Sequence, residues 1–200
     1  MEITSVNNEL VKEIAKLQQK KYRQISEKFI IEGYKSIKEA FDFGIKIEKI
    51  FVEKCNVPKY NFAKKYLIET NAAVLKKISA TDSTPEAVAV GVQKIYNIAD
   101  IKEAKKVVLL ENIRDLGNLG TIIRTCVAFG VDAIILYGEC TDIYSPKVVR
   151  ACVGNLWKIP IINTQNFKDL EYLFEKYERI ATLPKGKNQL KNSIANNLAF

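Results

Sequence analysis

Apolar side chains recur at helical spacing near the start of the chain, after Asn7 and Asn8, either of which can cap a helix. The face of this predicted helix consists of Leu10, Val11, Ile14 and Leu17. The charged run QQKKYRQISEK then predicts a basic connector, and the apolar run FIIEG predicts a strand. The pattern therefore indicates a helix, a connector and a strand in that order.

A second helix is predicted between Gly33 and Gly44, and the alternating run IKIEKIFV that follows is typical of a half-buried strand. A turn at Thr84 and Pro85 precedes another short β-rich run. This order predicts a βαβ-type unit whose sheet is closed by that last strand. The polar stretch 96–106 then predicts a boundary between a small domain over 1–95 and a second domain over 106–200.

The second half of the chain contains two continuous apolar runs, KVVLLE and VDAIILYG, which are typical of strands buried on both faces. A glycine-rich segment between them predicts a turn and a helix. Ser145 and Pro146 begin another predicted helix, NFKDLEYLFEKYE predicts a further one, and RIATLP predicts a last strand. The second domain is therefore predicted to be α/β, with a mostly parallel sheet flanked by helices.

Composition narrows the class of protein. The chain has 200 residues, of which 48% are apolar, and its 31 basic residues outnumber 23 acidic ones to give a net charge of +8. This balance favours a polyanionic partner, with nucleic acid preferred over an anionic membrane because the longest apolar runs are strand-sized. The first ten residues lack the basic start and apolar stretch of a secretory signal, which predicts the cytoplasm.

Metal and imidazole chemistry are disfavoured. The chain has no histidine, and its four cysteines show no CxxC spacing, so a zinc or iron site is not expected. The thiols are predicted to be buried and unpaired. Any catalysis must also proceed without a histidine base.

The segment GNLGTIIRTCVAFG carries the candidate chemistry. Gly117 and Gly120 predict a turn that would gather backbone N–H groups at the start of a helix, which suits an anion. The glycine spacing does not match GxGxxG, and there is no P-loop motif, which disfavours a dinucleotide site. Arg124 is predicted in the first turns of the helix, with its guanidinium emerging at the turn. An ion pair with Asp115 or Glu111 is the structural alternative.

These residues belong to a recognisable pattern. LLENIRDLGNLGTIIRTCVAFGVDAIIL closely resembles the first signature motif of the SpoU/TrmH-like RNA 2'-O-ribose methyltransferases, the knotted (SPOUT) branch that uses S-adenosylmethionine. SPKVVRACVGNLWKIPI resembles the segment that follows it in those enzymes. The first half, from NNELVKEIAKLQQ through ISATDSTPEAVAVG, is similar to the small substrate-binding domain of ribosomal-protein L30e type that many members carry. The resemblance thus implies an L30e-like domain followed by a SPOUT, knot-type domain.

The resemblance also implies roles for particular residues. Asn118 and Arg124 match the asparagine and arginine of the motif, and the arginine is the family's candidate for handling the ribose hydroxyl. It would act either as a base or by orienting a phosphate that takes the proton. The second role is chemically easier, because a guanidinium has a pKa above about 12. Asn118 would hold the turn or the arginine, or else serve as an ordinary helix cap.

The chain departs from the family pattern in two places. Leu116 replaces a proline that is common in the motif. After KNSIANNLAF, family members continue into a Gly-Asn-Glu-type loop and a Ser-Leu-Asn-containing helix that make most of the cofactor pocket. The resemblance therefore implies a methyltransferase domain whose C-terminal part is missing, with Thr182, Leu183 and Pro184 as its remaining cofactor contacts. A homodimer is expected for an intact version.

An RNA-binding surface is predicted from basic and aromatic residues. Lys20, Lys21, Tyr22 and Arg23 in the first connector could contact phosphates and stack on an unpaired base, although a solvated charged face explains the same lysines. Lys147 and Arg150 could form a second contact set. The partner is expected to be structured RNA, with rRNA preferred over tRNA because of the L30e-like domain.

Three functions are weighed. The leading hypothesis is an S-adenosylmethionine-dependent RNA ribose 2'-O-methyltransferase. The second is a non-catalytic RNA-binding protein or an inactive, truncated remnant of such an enzyme. The third is a dinucleotide-dependent oxidoreductase, for which Glu139 would be the acidic residue after the second strand.

Overall fold

The computed structural model describes residues 1–182 and 198–199, which form two compact units. The first unit comprises Met1–Lys94 and Asp142–Trp157, and the second comprises Ile95–Thr141 and the described residues from 158 onward. The predicted domains, 1–95 and 106–200, are each continuous in sequence. The structure differs from this prediction because it groups Asp142–Trp157 with the first unit.

The first unit is built on a four-stranded mixed sheet with the order β1-β4-β2-β3. These strands are β1 (Lys28–Glu32), β2 (Ile47–Glu53), β3 (Leu67–Thr70) and β4 (Ala87–Val92). β4 pairs antiparallel with both β1 and β2, and β2 pairs parallel with β3. The strand predicted after Thr84 and Pro85 is therefore central in the sheet.

Helices of the first unit cover this sheet. They are α1 (Glu9–Lys16), α2 (Lys20–Ser26), α3 (Tyr34–Asp42) and α4 (Ala72–Ile78), and a 3-10 segment over Lys54–Tyr66 joins β2 to β3. The side chain of Asn8 caps α1 by accepting a hydrogen bond from the backbone N–H of Leu10 at 3.0 Å. Buried α1 side chains pack with those of α4 and the sheet, which confirms the predicted helix and its apolar face.

The basic connector predicted after α1 is wrong, because residues 20–26 form α2. Gln19 precedes the helix without a side-chain cap, and Glu27 at its other end has a φ of 54°. Gln19 is not a usual N-cap residue, and Glu27 adopts the left-handed conformation that usually favours glycine or asparagine, so the residue types at both ends did not predict a helix. The buried side chain of Arg23 holds this helix against the rest of the unit through its contact with Asp142, which the pattern of charges along the sequence did not predict.

Residues 142–157 pack on β1 of the first unit. They contain α6 (Pro146–Ala151), which begins after Ser145 as predicted, and a short 3-10 turn over Asn155–Trp157. Phe29 contacts the rings of Tyr144 and Trp157, with centroid distances of 4.7 and 5.5 Å. These aromatic contacts fix both ends of the segment in the first unit.

The second unit contains a five-stranded, fully parallel sheet with the order β7-β6-β5-β9-β8. The strands are β5 (Lys106–Glu111), β6 (Ala133–Tyr137), β7 (Ile161–Thr164), β8 (Glu178–Arg179) and β9 (Leu198–Ala199). Residues 133–136 of β6 are fully buried, as the continuous apolar run predicted. The parallel α/β prediction is confirmed. The last predicted strand, RIATLP, is only partly correct, because β8 ends at Arg179.

α5 (Leu116–Ala128) follows β5 and packs with Leu119, Gly120, Ile123 and Cys126 buried. Gly117 and Gly120 therefore lie inside the helix, and the prediction that they form the turn is wrong. The turn consists of residues 112–115, because Asp115 is the N-cap. α7 (Lys168–Lys176) follows β7 as predicted and buries Leu170.

The cysteines only partly match the prediction of buried thiols. Cys126 and Cys152 are buried, whereas Cys55 is exposed and Cys140 is half-buried. None of the four forms a disulfide bond. Burial raises the pKa of the Cys126 thiol above its usual value.

Candidate functional site

Polar residues collect where β5, β6 and β7 end. Asn112 follows β5, Gly138 and Glu139 follow β6, and Gln165 follows β7. Carboxyl ends of parallel strands meet at one edge of the sheet, which is where open α/β sheets bind ligands. A cleft of about 610 Å³ lies at this edge, and it is lined by Asn112, Arg114, Tyr137, Gly138, Glu139 and Gln165.

Asn112 and Gly138 join the loop after β5 to the loop after β6. Both have left-handed backbone conformations, with φ of 51° and 75°. The Asn112 side-chain oxygen accepts a hydrogen bond from the backbone N–H of Glu139 at 2.8 Å, and the Asn112 N–H donates to the carbonyl of Tyr137 at 3.0 Å. A Cβ on residue 138 would lie 2.6 Å from that Asn112 oxygen, so this close approach requires glycine.

An ion pair spans the same two loops. Arg114 Nη2 donates to Glu139 Oε2 at 2.8 Å. Both side chains are exposed, by 76% and 78%. The pair therefore contributes little to stability, and each partner remains accessible to other ions.

The start of α5 places Asn118 at this edge. The Asp115 side chain accepts a hydrogen bond from the backbone N–H of Asn118 at 2.7 Å, which makes Asp115 the helix cap. The alternative role of Asn118 as the cap is therefore wrong. The Asn118 side chain is exposed.

Arg124 lies on the exposed side of α5, beside the exposed Thr121 and Thr125. It follows Leu116 by eight residues, which places it about 12 Å along the helix rather than in its first turns. Because long side chains in helices usually point back toward the helix N-terminus, we expect its guanidinium to extend toward the start of α5. Among the described residues no ion pair joins Arg124 to Asp115 or Glu111, the structural alternative considered above.

The sequence matches two protein families, one in each half. Residues 8–89 match the MRM3-like substrate binding domain, and residues 105–200 match the SpoU rRNA Methylase family. The chain is 30% identical to an uncharacterized tRNA/rRNA methyltransferase of Synechocystis, over 94% of this chain and 72% of that protein. It is also 30% identical to the Bacillus subtilis 23S rRNA (guanosine(2553)-2'-O)-methyltransferase RlmP, over 80% of this chain and 64% of RlmP.

Solved structures agree with these matches. The AdoMet-bound rRNA methyltransferase from Sinorhizobium meliloti superposes with a TM-score of 0.87 and 32% identity, over 100% of this chain and 79% of that one. The chain belongs to the SpoU rRNA methylase family. This assignment confirms the resemblance and the α/β fold class predicted from the sequence, and the cofactor of the family is S-adenosylmethionine.

One of the three predicted cofactor contacts of this SpoU chain, Thr182, lies within the described residues. Thr182 is exposed and follows β8, whose carboxyl end faces the same edge as those of β5 and β6. An exposed hydroxyl at this edge fits a ligand contact in a parallel α/β sheet. Leu183 and Pro184 lie outside the described residues.

The first predicted RNA-contact group divides into surface and interior residues. Lys20 and Lys21 are exposed, and Tyr22 is half-buried, with Lys16 Nζ 5.6 Å from its ring centroid. Arg23 is only 3% exposed, and its guanidinium donates to Asp142 Oδ2 at 2.6 and 2.8 Å and to the carbonyls of Leu17 and Gln18. The prediction that Arg23 contacts RNA is wrong, because its donors are committed inside the protein.

The second predicted group, Lys147 and Arg150, lies on α6. Lys147 is exposed. Arg150 Nη1 donates to Glu32 Oε2 at 2.7 Å, and its side chain is 33% exposed beside an almost fully buried carboxylate. Arg150 thus neutralises Glu32, while a role in RNA contact stays a prediction.

Sequence reasoning missed the arrangement of Asn112, Arg114 and Glu139. Glu139 was considered only as a dinucleotide-binding acid. The available signal was the position of all three residues directly after predicted parallel strands, where they must meet at one edge. The sequence also did not indicate the basic groove lined by Lys12, Lys16, Lys77, Gln18 and Gln19 in the first unit.

In the part of the chain that the structure describes, no helix has the length and apolar character needed to cross a membrane. The same residues contain no group of three or more cysteine, aspartate or glutamate side chains placed to hold a metal ion.

Proposed function

We propose that this chain is an S-adenosylmethionine-dependent RNA ribose 2'-O-methyltransferase that acts on rRNA. The observation that carries the proposal is the exposed pair Asn118 and Arg124 on α5, within the part of the chain that matches the SpoU family. The 2'-O specificity is that of the relative RlmP, and rRNA is the substrate named for both RlmP and the Sinorhizobium protein.

The chain's own residues suggest how the ribose is positioned. S-adenosylmethionine supplies an activated methyl group when it is bound, and Thr182, Leu183 and Pro184 would hold it. The Arg124 guanidinium clamps an RNA phosphate through two parallel hydrogen bonds, which aligns the 2'-oxygen. The phosphate takes the hydroxyl proton, because the chain has no histidine and a guanidinium is too weak a base. Asn118 orients the sugar from the start of α5.

A methyl-transfer assay tests this function. The 200-residue chain is incubated with labelled S-adenosylmethionine and a 23S rRNA fragment containing the position that RlmP modifies. We expect transfer to a 2'-oxygen, and a decrease of about 100-fold or more for Arg124→Ala, since misplaced reactants lose the advantage of orientation. Lys105→Ala is the matched control, because Lys105 is exposed and precedes β5 at the opposite edge of the sheet.

The outcomes separate the alternatives. Equal rates for Arg124→Ala and the wild type would remove Arg124 from the mechanism. RNA binding without S-adenosylmethionine binding in calorimetry would favour the non-catalytic RNA-binding protein instead.

We also propose that the RNA lies across Lys20, Lys21, Tyr22 and Lys147, that the protein works as a homodimer, and that it resides in the cytoplasm. The exposure of the three lysines supports the first proposal. Sedimentation of the purified chain tests the second, and fractionation of the source cells tests the third.

A further inference from the structure

Among the described residues that line the cleft at the carboxyl edge of the second unit, one is a cation and one is an anion, Arg114 and Glu139, and these bind each other. The other described lining residues are Asn112, Tyr137, Gly138 and Gln165, none of which is a lysine, an arginine or a carboxylate. Within this described lining, an anion therefore meets the guanidinium of Arg114, which is occupied by an internal carboxylate.

The cleft holds this carboxylate in a defined place. Asn112 fixes the backbone of Glu139 through its 2.8 Å hydrogen bond, and the turn of Gly138 sets the direction of the loop. Glu139 is thus presented to Arg114 by a rigid backbone rather than by a chance surface encounter. The side chains themselves remain more than three-quarters exposed, so water screens their attraction.

Such a pair is suited to exchange. A guanidinium forms two parallel hydrogen bonds with a phosphate as readily as with a carboxylate, and its weak hydration lowers the cost of changing partners. Losing an exposed ion pair costs little free energy, because water already screens the attraction. A phosphodiester can therefore take the place of the Glu139 carboxylate on Arg114. A neutral ligand cannot, because it offers the guanidinium no negative charge.

The position of Arg114 identifies which phosphate this would be. Arg114 immediately precedes Asp115, the cap of α5, and the same helix carries Asn118 and Arg124. A backbone phosphate held by Arg114 is therefore close along the RNA to the ribose that Asn118 and Arg124 handle.

We propose that Arg114 is a positioning residue that exchanges Glu139 for a backbone phosphodiester of the RNA substrate, and that Glu139 acts as an internal competitor for this site. The inference rests on the proposed function only in requiring RNA as the ligand. Glu139 thereby favours RNA segments whose phosphate reaches the cleft over nonspecific polyanions.

RNA affinity measured over a range of KCl concentrations tests this exchange. Fluorescence anisotropy with the labelled 23S rRNA fragment is applied to the wild type, Arg114→Ala, Glu139→Gln and the double variant. We expect Arg114→Ala to weaken binding about threefold to tenfold and to reduce the salt slope by about 0.7 to 1, the amount for one phosphate contact. Glu139→Gln is expected to tighten binding by several-fold, about as much as an exposed pair contributes.

The double variant distinguishes competition from simple charge repulsion. If Glu139 competes for Arg114, Glu139→Gln has no effect on affinity once Arg114 is alanine. The same tightening in both backgrounds would overturn the exchange. A salt slope for Arg114→Ala equal to that of the wild type would overturn the phosphate contact, as would a loss no larger than that of Lys105→Ala.

The test does not depend on catalysis. If the wild-type chain binds RNA but transfers no methyl group, the proposed enzymatic function fails while the Arg114 comparison keeps its meaning. If the wild-type chain does not bind RNA, the inference about Arg114 is wrong as well.

Discussion

At the scale of single residues, two of the arginines predicted as site residues have opposite environments. Arg124 is exposed on α5, whereas Arg23 is buried and donates four hydrogen bonds inside the protein. The Arg23 side chain is 4% exposed and that of its partner Asp142 is 16% exposed. An ion pair this deeply buried is part of the folded core rather than of a binding surface.

Replacing Arg23 is therefore expected to destabilise the protein. Arg23→Met removes the donors to Asp142 Oδ2 and to two backbone carbonyls, whereas Asp142 Oδ1 keeps its hydrogen bond from the backbone N–H of Tyr144. We expect a loss of about 3 kcal/mol in the free energy of unfolding, because a largely buried carboxylate loses its cationic partner. Urea denaturation measures this change. Lys38→Met breaks the exposed pair with Asp42 and should change stability by less than about 0.5 kcal/mol, so equal losses would contradict the structural role of Arg23.

The sequence alone did not show that Arg23, unlike Arg124, is buried. Arg23 lies in a run of lysines, and its partner Asp142 is 119 residues away along the chain. Charge pattern describes only near neighbours, so it predicts a solvated face for Arg23. The expectation that the Arg124 guanidinium reaches the surface is consistent with its exposure, because its apolar helix neighbours provide packed surface for its stem to lie along.

At the scale of elements, the loops after β5 and β6 are joined because Asn112 contacts Gly138 and Glu139. The sequence predicted both strands accurately, since continuous apolar runs identify strands buried on both faces. It misplaced the turn before α5, because Gly117 and Gly120 resemble turn residues but lie inside the helix. Asp115, a standard cap residue, was the better signal for the start of that helix.

The contact between these loops predicts a specific cost for a methyl group at position 138. Gly138→Ala places a Cβ 2.6 Å from an Asn112 oxygen that is held by its own hydrogen bond. We expect a loss of about 2–4 kcal/mol in unfolding free energy, which combines left-handed strain with the steric clash.

Gly130→Ala is the matched control in the same unit. Gly130 has a φ of 65°, and no atom lies within 4 Å of a Cβ built on it. Gly130→Ala should lower the free energy of unfolding only by the strain of a left-handed alanine, about 1–2 kcal/mol. If chemical denaturation gave the same loss for both variants, the loops would not be in contact in solution.

At the scale of the whole molecule, the main difference from the sequence-based domains is the segment Asp142–Trp157. Arg23, Phe29 and Glu32 of the first unit contact this segment, and all three precede it by more than a hundred residues. The Tyr144 hydroxyl also exchanges hydrogen bonds with the backbone of Lys94. Local pattern predicted α6 correctly but could not show which sheet it packs on, because long-range pairing leaves no periodic signal. The exposure of Arg124 could be predicted from its apolar helix neighbours, whereas the cleft residues could be found only by bringing the ends of the predicted parallel strands together at one sheet edge.

This grouping has a spectroscopic consequence. Trp157, the only tryptophan of the chain, is 7% exposed and packs on Phe29 in the first unit. We expect its fluorescence to report unfolding of the first unit, with the same midpoint in urea as the loss of amide protection in β1 and β4. A midpoint shared instead with β5 and β6 would place Trp157 with the second unit.

The order of the strands in the parallel sheet bears on how the protein is made. β9 lies between β5 and β8, although residues 198–199 come after every other strand along the chain. During synthesis, β5 can therefore pair with β9 only after about ninety further residues have been made, whereas all segments of the first unit have been made once Trp157 has been added. Until then one edge of β5 is unpaired. We expect this edge to be the site at which the nascent chain associates with other chains or with chaperones.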